Sequence, residues 1–190
     1  MRKYVVINLC AALVMTGAAT GFQPSEAIPG TGVIEYAFTP GADAAGLVIR
    51  AIGSARQAVY VQAFSFTHEG IARALVAAVR RGVSVEVIAD QSQTELIEHN
   101  VLPALAHGRV KVFIDAEHAA AHDKVIIVDP SASRPAVVTG SFNFTFAAQY
   151  RNAENVLVIR GNRELARAYF ENWQRHRAHA TPFSLKPHAD

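Results

Sequence analysis

A histidine and a lysine two residues apart, His122 and Lys124, open the segment His-Asp-Lys-Val-Ile-Ile-Val-Asp that ends at Asp129. This His-x-Lys-x4-Asp pattern occurs once in the 190-residue chain, and Gly140-Ser141-Phe142-Asn143 follows it. Imidazole can act as nucleophile or as proton donor near neutral pH, and an ammonium group neutralises charge that develops on phosphoryl oxygens. Together they are enough to attack a phosphodiester without a metal. Side chains alternate across a strand, so His122 and Lys124 share a face about 6.5–7 Å apart, with room for a phosphate between them. Ser141 and Asn143 share a face by the same rule, at the end of the next strand, and are candidate phosphate ligands. Asp129 has the opposite parity and sits at the strand's far end. Its place in the catalytic set is therefore a supporting one, holding the turn or a neighbouring polar group.

The run Val125-Ile126-Ile127-Val128 is apolar on both faces, which fits a strand buried on both sides in the middle of a sheet. Around it, strands are expected over 33–38, 58–64, 83–89, 110–114, 136–139 and 156–160. Helices are expected from Asp43 to about Ala55, from Thr67 to a stop at Gly82, from Ser92 to an end marked by Pro103 and Gly108, and from Asn162 onward with Leu165, Tyr169 and Trp173 aligned. Alternating strands and helices predict a single α/β domain, a layered sandwich of a mixed, largely parallel sheet flanked by helices. Phe142, Phe144 and Phe146 read as strand packing. The tail from Thr181, with two prolines, is expected to lie along the surface or to fray.

Residues 1–27 read as a signal peptide and residues 28–190 as the folded domain. Arg2 and Lys3 are followed by an apolar stretch from Val5 to Met15, too short to span a bilayer, and Ser25-Glu26-Ala27 fits a small-x-small cleavage site. The expectation is export, to a bacterial periplasm or beyond, with no stable membrane anchor after cleavage. Cys10, the only cysteine, lies in that segment, so the remainder uses neither disulfides nor thiol chemistry and can hold no zinc through sulfur. About 163 residues suffice for one buried core. After removal of the signal, 16 basic and 15 acidic residues leave a net charge of +1. Any nucleic-acid groove must then come from local arrangement, with Arg50, Arg56, Arg73, Arg80, Arg81 and Arg151 as candidates.

The motif and the following Gly-Ser-x-Asn resemble the phospholipase D superfamily, and above all its small bacterial endonucleases, which carry one motif copy per chain. Val61 to Thr67, Ala74 to Ala78, Arg81-Gly82-Val83 and Asn152-Ala153-Glu154-Asn155 extend the resemblance over nearly the whole mature chain. The resemblance implies a covalent phosphohistidine intermediate, no metal or other cofactor, and an active site completed by a homodimer. It also implies that Glu154 orients the nucleophilic imidazole. The residues alone do not distinguish Glu154 from Asp115, Glu117 or Asp123 for that part.

Cleavage by a covalent route needs a nucleophile on one side of phosphorus and an acid on the other. The motif supplies one histidine, and a two-fold dimer would supply the second on its dyad. No metal ligand set is expected. His118 precedes His122 by four residues, a spacing that makes a metal pair only on a helix, whereas His122 begins a strand. His68, His99, His107, His176, His179 and His188 read as surface or hydrogen-bonded groups. The leading reading is an exported, metal-independent endonuclease of low specificity acting on DNA, with RNA as a further substrate. The alternatives are hydrolysis or transfer on phospholipid, and a catalytically silent nucleic-acid-binding dimer.

Overall fold

The apolar motif run lies where its composition requires, with all five of its strand residues buried. The computed structural model describes residues 25–97 and 99–185. The signal segment therefore falls outside the described residues except for its last three positions, as does His188. Eight strands are described: β1 (Val33–Thr39), β2 (Ala58–Ala63), β3 (Ser84–Asp90), β4 (Lys111–Asp115), β5 (Lys124–Val128), β6 (Ala136–Gly140), β7 (Glu154–Arg160) and β8 (Thr181–Pro182). Six helices join them: α1 (Ala44–Gly53), α2 (Glu69–Arg80), α3 (Gln91–Leu96), α4 (Leu102–His107), α5 (Phe146–Tyr150) and α6 (Arg163–His179). The strands form one sheet in the order β1-β7-β6-β5-β2-β3-β4-β8. The larger core lies on the face covered by α1, α2 and α4, and includes Val48, Ile52, Ile71, Leu75, Leu105, Ile126 and Val138. A smaller cluster on the other face gathers Ile88, Phe113, Val125 and Ile127 under Trp173 of α6. The structure is the expected single α/β domain with a mixed sheet flanked by helices.

Parallel pairing is confined to β2, β3 and β4; the other five ladders are antiparallel, which corrects the expectation of a largely parallel sheet. A parallel crossover needs a dozen or more residues. Residues 116–123 and 129–135, which flank β5, are too few for one.

Capping follows the sequence at two of the four expected helix starts. The Asp43 carboxylate accepts from Gly46 N at 2.8 Å, and Asn162 Oδ1 accepts from Leu165 N at 3.0 Å. At α2 the cap is His68 and not Thr67. His68 Nδ1 accepts from Ile71 N, a bond that requires the neutral ring, and burial lowers its pKa accordingly. Asp90, not Ser92, caps the next helix, accepting from Gln93 N. Pro103 stands in the first turn of α4 and so starts a helix, as its missing N–H allows.

Candidate active site

Chain direction brings the chemistry to one edge of the sheet. β1, β2, β3, β4 and β6 end there, and β5 and β7 begin there. His122, Lys124, Ser141, Asn143 and Glu154 therefore converge from three adjacent strands, whereas Asp129 lies at the opposite edge.

His122 is exposed and Lys124 is buried. Lys124 Nζ lies 3.0 Å from His122 Nδ1 and donates to the His122 carbonyl oxygen at 2.6 Å. The ammonium thus holds the loop that presents the imidazole. Phe64, just past β2, floors the pair: its ring centroid is 4.3 Å from that of His122 and 4.8 Å from Lys124 Nζ. Burial lowers the Lys124 pKa, opposed by the negative charges of Asp123, Glu154 and Asp90. Those carboxylates are themselves engaged. Asp123 accepts from Gln62 Nε2, and its carbonyl oxygen accepts from Phe64 N. Asp90 accepts from Ser92 Oγ, Gln93 N and Ala121 N. Glu154 accepts from Asn152 Nδ2 at 2.9 Å, and its carboxylate bears on the site through the charge of Lys124. Its expected partner, His122, is not among its hydrogen bonds here.

The Gly-Ser-x-Asn segment turns off the end of β6. Gly140 has φ 149°, and a Cβ there would collide with the Asn155 carbonyl, so this position requires glycine. Ser141 Oγ accepts from Asn155 N at 3.0 Å and from Asn155 Nδ2 at 3.3 Å, which leaves its own O–H to donate elsewhere. Asn143 Oδ1 is buried and has no hydrogen-bond partner. Phe142 and Phe144, on either side, are anchored in the core, so Asn143 is held half-buried between two fixed points. Phe146 departs from the expected packing: it sits on α5 and is 57% exposed.

Asp129 has the supporting place its parity assigned. Its carboxylate accepts from the backbone N–H of Arg56, Gln57 and Ala58, each at 2.8 Å, and so closes the turn between α1 and β2. Of the six candidate arginines, Arg151 follows α5 at the site's edge, Arg73 lies in the opening turns of α2, ion-paired to Glu69, and Arg50 lies in the last turn of α1, 3.8 Å from the Asp43 carboxylate. Arg56, Arg80 and Arg81 fall at the opposite edge, because a helix that follows a strand runs back down the sheet.

Sequence reasoning left His118, His176 and His179 as unrelated groups. The structure gathers them around buried Asp115 at the end of β4. Two i,i+3 pairs, Asp115 with His118 and His176 with His179, were the available signal, but nothing in the sequence joins positions 61 residues apart.

A protein family described as "Cardiolipin synthase, PLD-like domain" matches residues 48–177. The chain belongs to the phospholipase D superfamily, and is a phosphodiesterase of that superfamily. Among curated relatives, "Phospholipase D" of Rickettsia felis is 39% identical over 145 residues, covering 76% of this chain and 70% of that protein. "Mitochondrial cardiolipin hydrolase" of Homo sapiens is 30% identical over 135 residues, covering 71% of this chain and 51% of that one. Among solved structures, the phospholipase D family member Nuc from Salmonella typhimurium superposes with TM-score 0.76 at 34% identity, over 82% of this chain and all of that one.

Proposed function

We propose that the protein is an exported, metal-independent endonuclease of low sequence specificity that cleaves DNA, and RNA as a further substrate, through a phosphohistidine at the dyad of a homodimer. The observation that carries this reading is the Lys124–His122 pair at an open sheet edge, in a chain that matches Nuc over that protein's whole length. An open edge admits a polymer, and a single copy of the pair calls for a second chain.

The roles follow from charge and geometry. A phosphate reaching the pair must part the 3.0 Å contact between Lys124 and His122, drawing the ammonium onto its oxygens, joined by the free O–H of Ser141 and by Asn143. His122 attacks phosphorus in line, the bond to the leaving oxygen breaks, and the partner's His122 gives that oxygen its proton. The same partner imidazole then takes a proton from water, the hydroxyl oxygen attacks phosphorus, and the N–P bond breaks to restore His122. Glu154, close enough to act on the charge of Lys124, would accept the imidazole N–H during attack.

An exposed apolar strip supports the homodimer. Ile34, Tyr36 and Phe38 are about 60–66% exposed on one face of edge strand β1. Phe38 pairs with Asn155, the residue that hydrogen-bonds Ser141, so the strip reaches the site. A self-complementary patch of this kind is what an isologous interface uses.

The names of the curated relatives favour a second reading, phospholipid as substrate. The test uses purified protein and its His122→Ala variant in EDTA, with plasmid DNA, single-stranded DNA, RNA and phosphatidylcholine vesicles. Cleavage of nucleic acid by the unaltered protein alone is expected. Turnover of lipid only would move the protein to that second reading, and binding of DNA without turnover of any substrate would favour the silent dimer.

A further inference from the structure

We propose that Asp115, His118, His176 and His179 form a structural site for a divalent transition metal, with zinc the best fit, and that the metal clamps the His122 loop to the C-terminal helix. One ligand atom from each residue lies within 4.8 Å of all the others. Asp115 Oδ2 is 2.9 Å from His176 Nδ1, 3.1 Å from His179 Nε2 and 3.1 Å from His118 Nδ1. Four ligands at zinc bond lengths of about 2.0–2.1 Å stand roughly 3.4 Å apart on a tetrahedron, so the carboxylate-to-imidazole spacings need to open by a few tenths of an ångström and the widest ligand pair, at up to 4.8 Å, needs to close by up to about 1.4 Å. Three imidazoles and one carboxylate are a borderline donor set, which suits zinc in preference to calcium or magnesium.

Hydrogen bonding alone explains the cluster poorly. Oδ2 of Asp115 faces three ring nitrogens, more than its two lone pairs serve well, and of the three only His118 Nδ1 also reaches Oδ1, at 3.2 Å. The rings also crowd one another, with centroids 4.8, 5.2 and 5.6 Å apart, so charging all three would set like charges side by side. Asp115 is fully buried. Its Oδ1 also accepts from the Glu117 N–H at 3.1 Å, which fixes the carboxylate at the centre of the cluster. Glu117 Oε2 lies 3.4 Å from His179 Nδ1, on the far side of the ring from Asp115. A carboxylate that closes from there onto Nδ1–H would leave the Nε2 lone pair for a metal. His118 is 45% exposed along its side chain, which gives an ion a way in.

The site is separate from the reaction centre. Three ladders, β4 to β3 to β2 to β5, put it roughly 14 Å from the motif strand. Its consequence for the centre is mechanical. His118 belongs to the loop that delivers His122, and the same loop is pinned at Ala121 N by Asp90 at 2.7 Å. Metal binding would fix the loop at a second point and tie it to α6. The inference does not depend on which phosphodiester the protein cleaves.

The test measures metal in untagged, full-length protein incubated with zinc and freed of excess by gel filtration, with the same done for a His176→Ala/His179→Ala variant, for His118→Gln and for His122→Ala. The expected result is one zinc per chain in the unaltered protein and in His122→Ala, and less than a tenth of that in the double variant. His118→Gln, on an exposed loop and safe for folding, should bind zinc at least 10-fold more weakly. Glu117→Gln should cost about 10-fold in zinc affinity while one site per chain remains. Amide exchange in residues 116–121 should slow when zinc is added. Less than a tenth of a zinc per chain in the unaltered protein, or equal zinc in all four proteins, would overturn the proposal.

Discussion

Asp129 belongs to the motif by sequence, yet the structure gives it work at the other end of the strand, and this separation can be tested by substitution. It stands seven residues beyond His122, roughly 23 Å along the strand. Its carboxylate, only 6% exposed, receives three 2.8 Å bonds from consecutive backbone N–H groups, and its φ of 48° lies in the left-handed region. A hydrogen bond to a charged acceptor contributes about 1.5–3 kcal/mol, and neighbouring bonds to one carboxylate are not additive. Asp129→Asn keeps one acceptor oxygen and tolerates the backbone, so it should cost about 2 kcal/mol. Asp129→Ala loses all three acceptors and adds about 1 kcal/mol of left-handed strain, for about 4 kcal/mol. For a domain of this size these correspond to falls in Tm of about 6 and 12 °C. Thermal melts measure the stability, and kcat/KM on a chromogenic phosphodiester, taken well below both Tm values, measures the chemistry. Activity per folded molecule should stay within about two-fold of the unaltered protein. A loss beyond about 100-fold with Tm unchanged would show that Asp129 takes part in the reaction and that the division of labour along β5 is mistaken.

Lys124 makes stability and activity move in opposite directions with pH. Burial depresses its pKa, so between the folded and unfolded values the unfolded chain holds more protons, and its contribution to stability rises with pH through that window. Activity, which in the proposed mechanism uses the ammonium, should fall over the same window, below the pH at which a free lysine titrates. Lys124→Met should remove both trends, lower kcat/KM by at least about 100-fold and leave Tm equal or higher, as parallel pH titrations of melting and rate would show. Gly140→Ala drives a Cβ into the Asn155 carbonyl and displaces Ser141; a loss of about 2–3 kcal/mol in urea unfolding, with raised KM, is expected. Tyr36→Asp/Phe38→Asp should convert a dimer to a monomer in analytical ultracentrifugation and abolish nuclease activity without loss of fold, and an active monomer would refute the shared site.

Much of this was legible because it is local. The double-sided apolar run announced a central strand; the two-residue spacing brought Lys124 to His122, but His122 lies in the loop ahead of β5 and the two side chains meet at 3.0 Å, without the expected gap for a phosphate. Asp43 and Asn162 marked their helices by side-chain capping. What was missed is either too short to show a period or not local at all. α5 has five residues, so its start is set by Thr145 accepting from Ala148 N and its packing by the Gln149 amide, which bonds Ala45 N and the Ala42 carbonyl. Strand direction after β4 depended on connection length, which pattern alone leaves unread. The Asp115 cluster joins the end of β4, the following loop and the last turn of α6. The antiparallel pairing of β8, directly after α6, with β4, and Trp173 seated on Val61 O at 3.1 Å, bring those pieces together.

The central claim is that His122 forms a covalent bond to phosphorus, and the stereochemical course at that atom tests it most directly. A phosphodiester made chiral at phosphorus with sulfur and an oxygen isotope would be cleaved by the purified protein and the product's configuration determined. Two in-line displacements, first by His122 and then by water, predict net retention; inversion would mean that water attacks directly and would contradict the phosphohistidine.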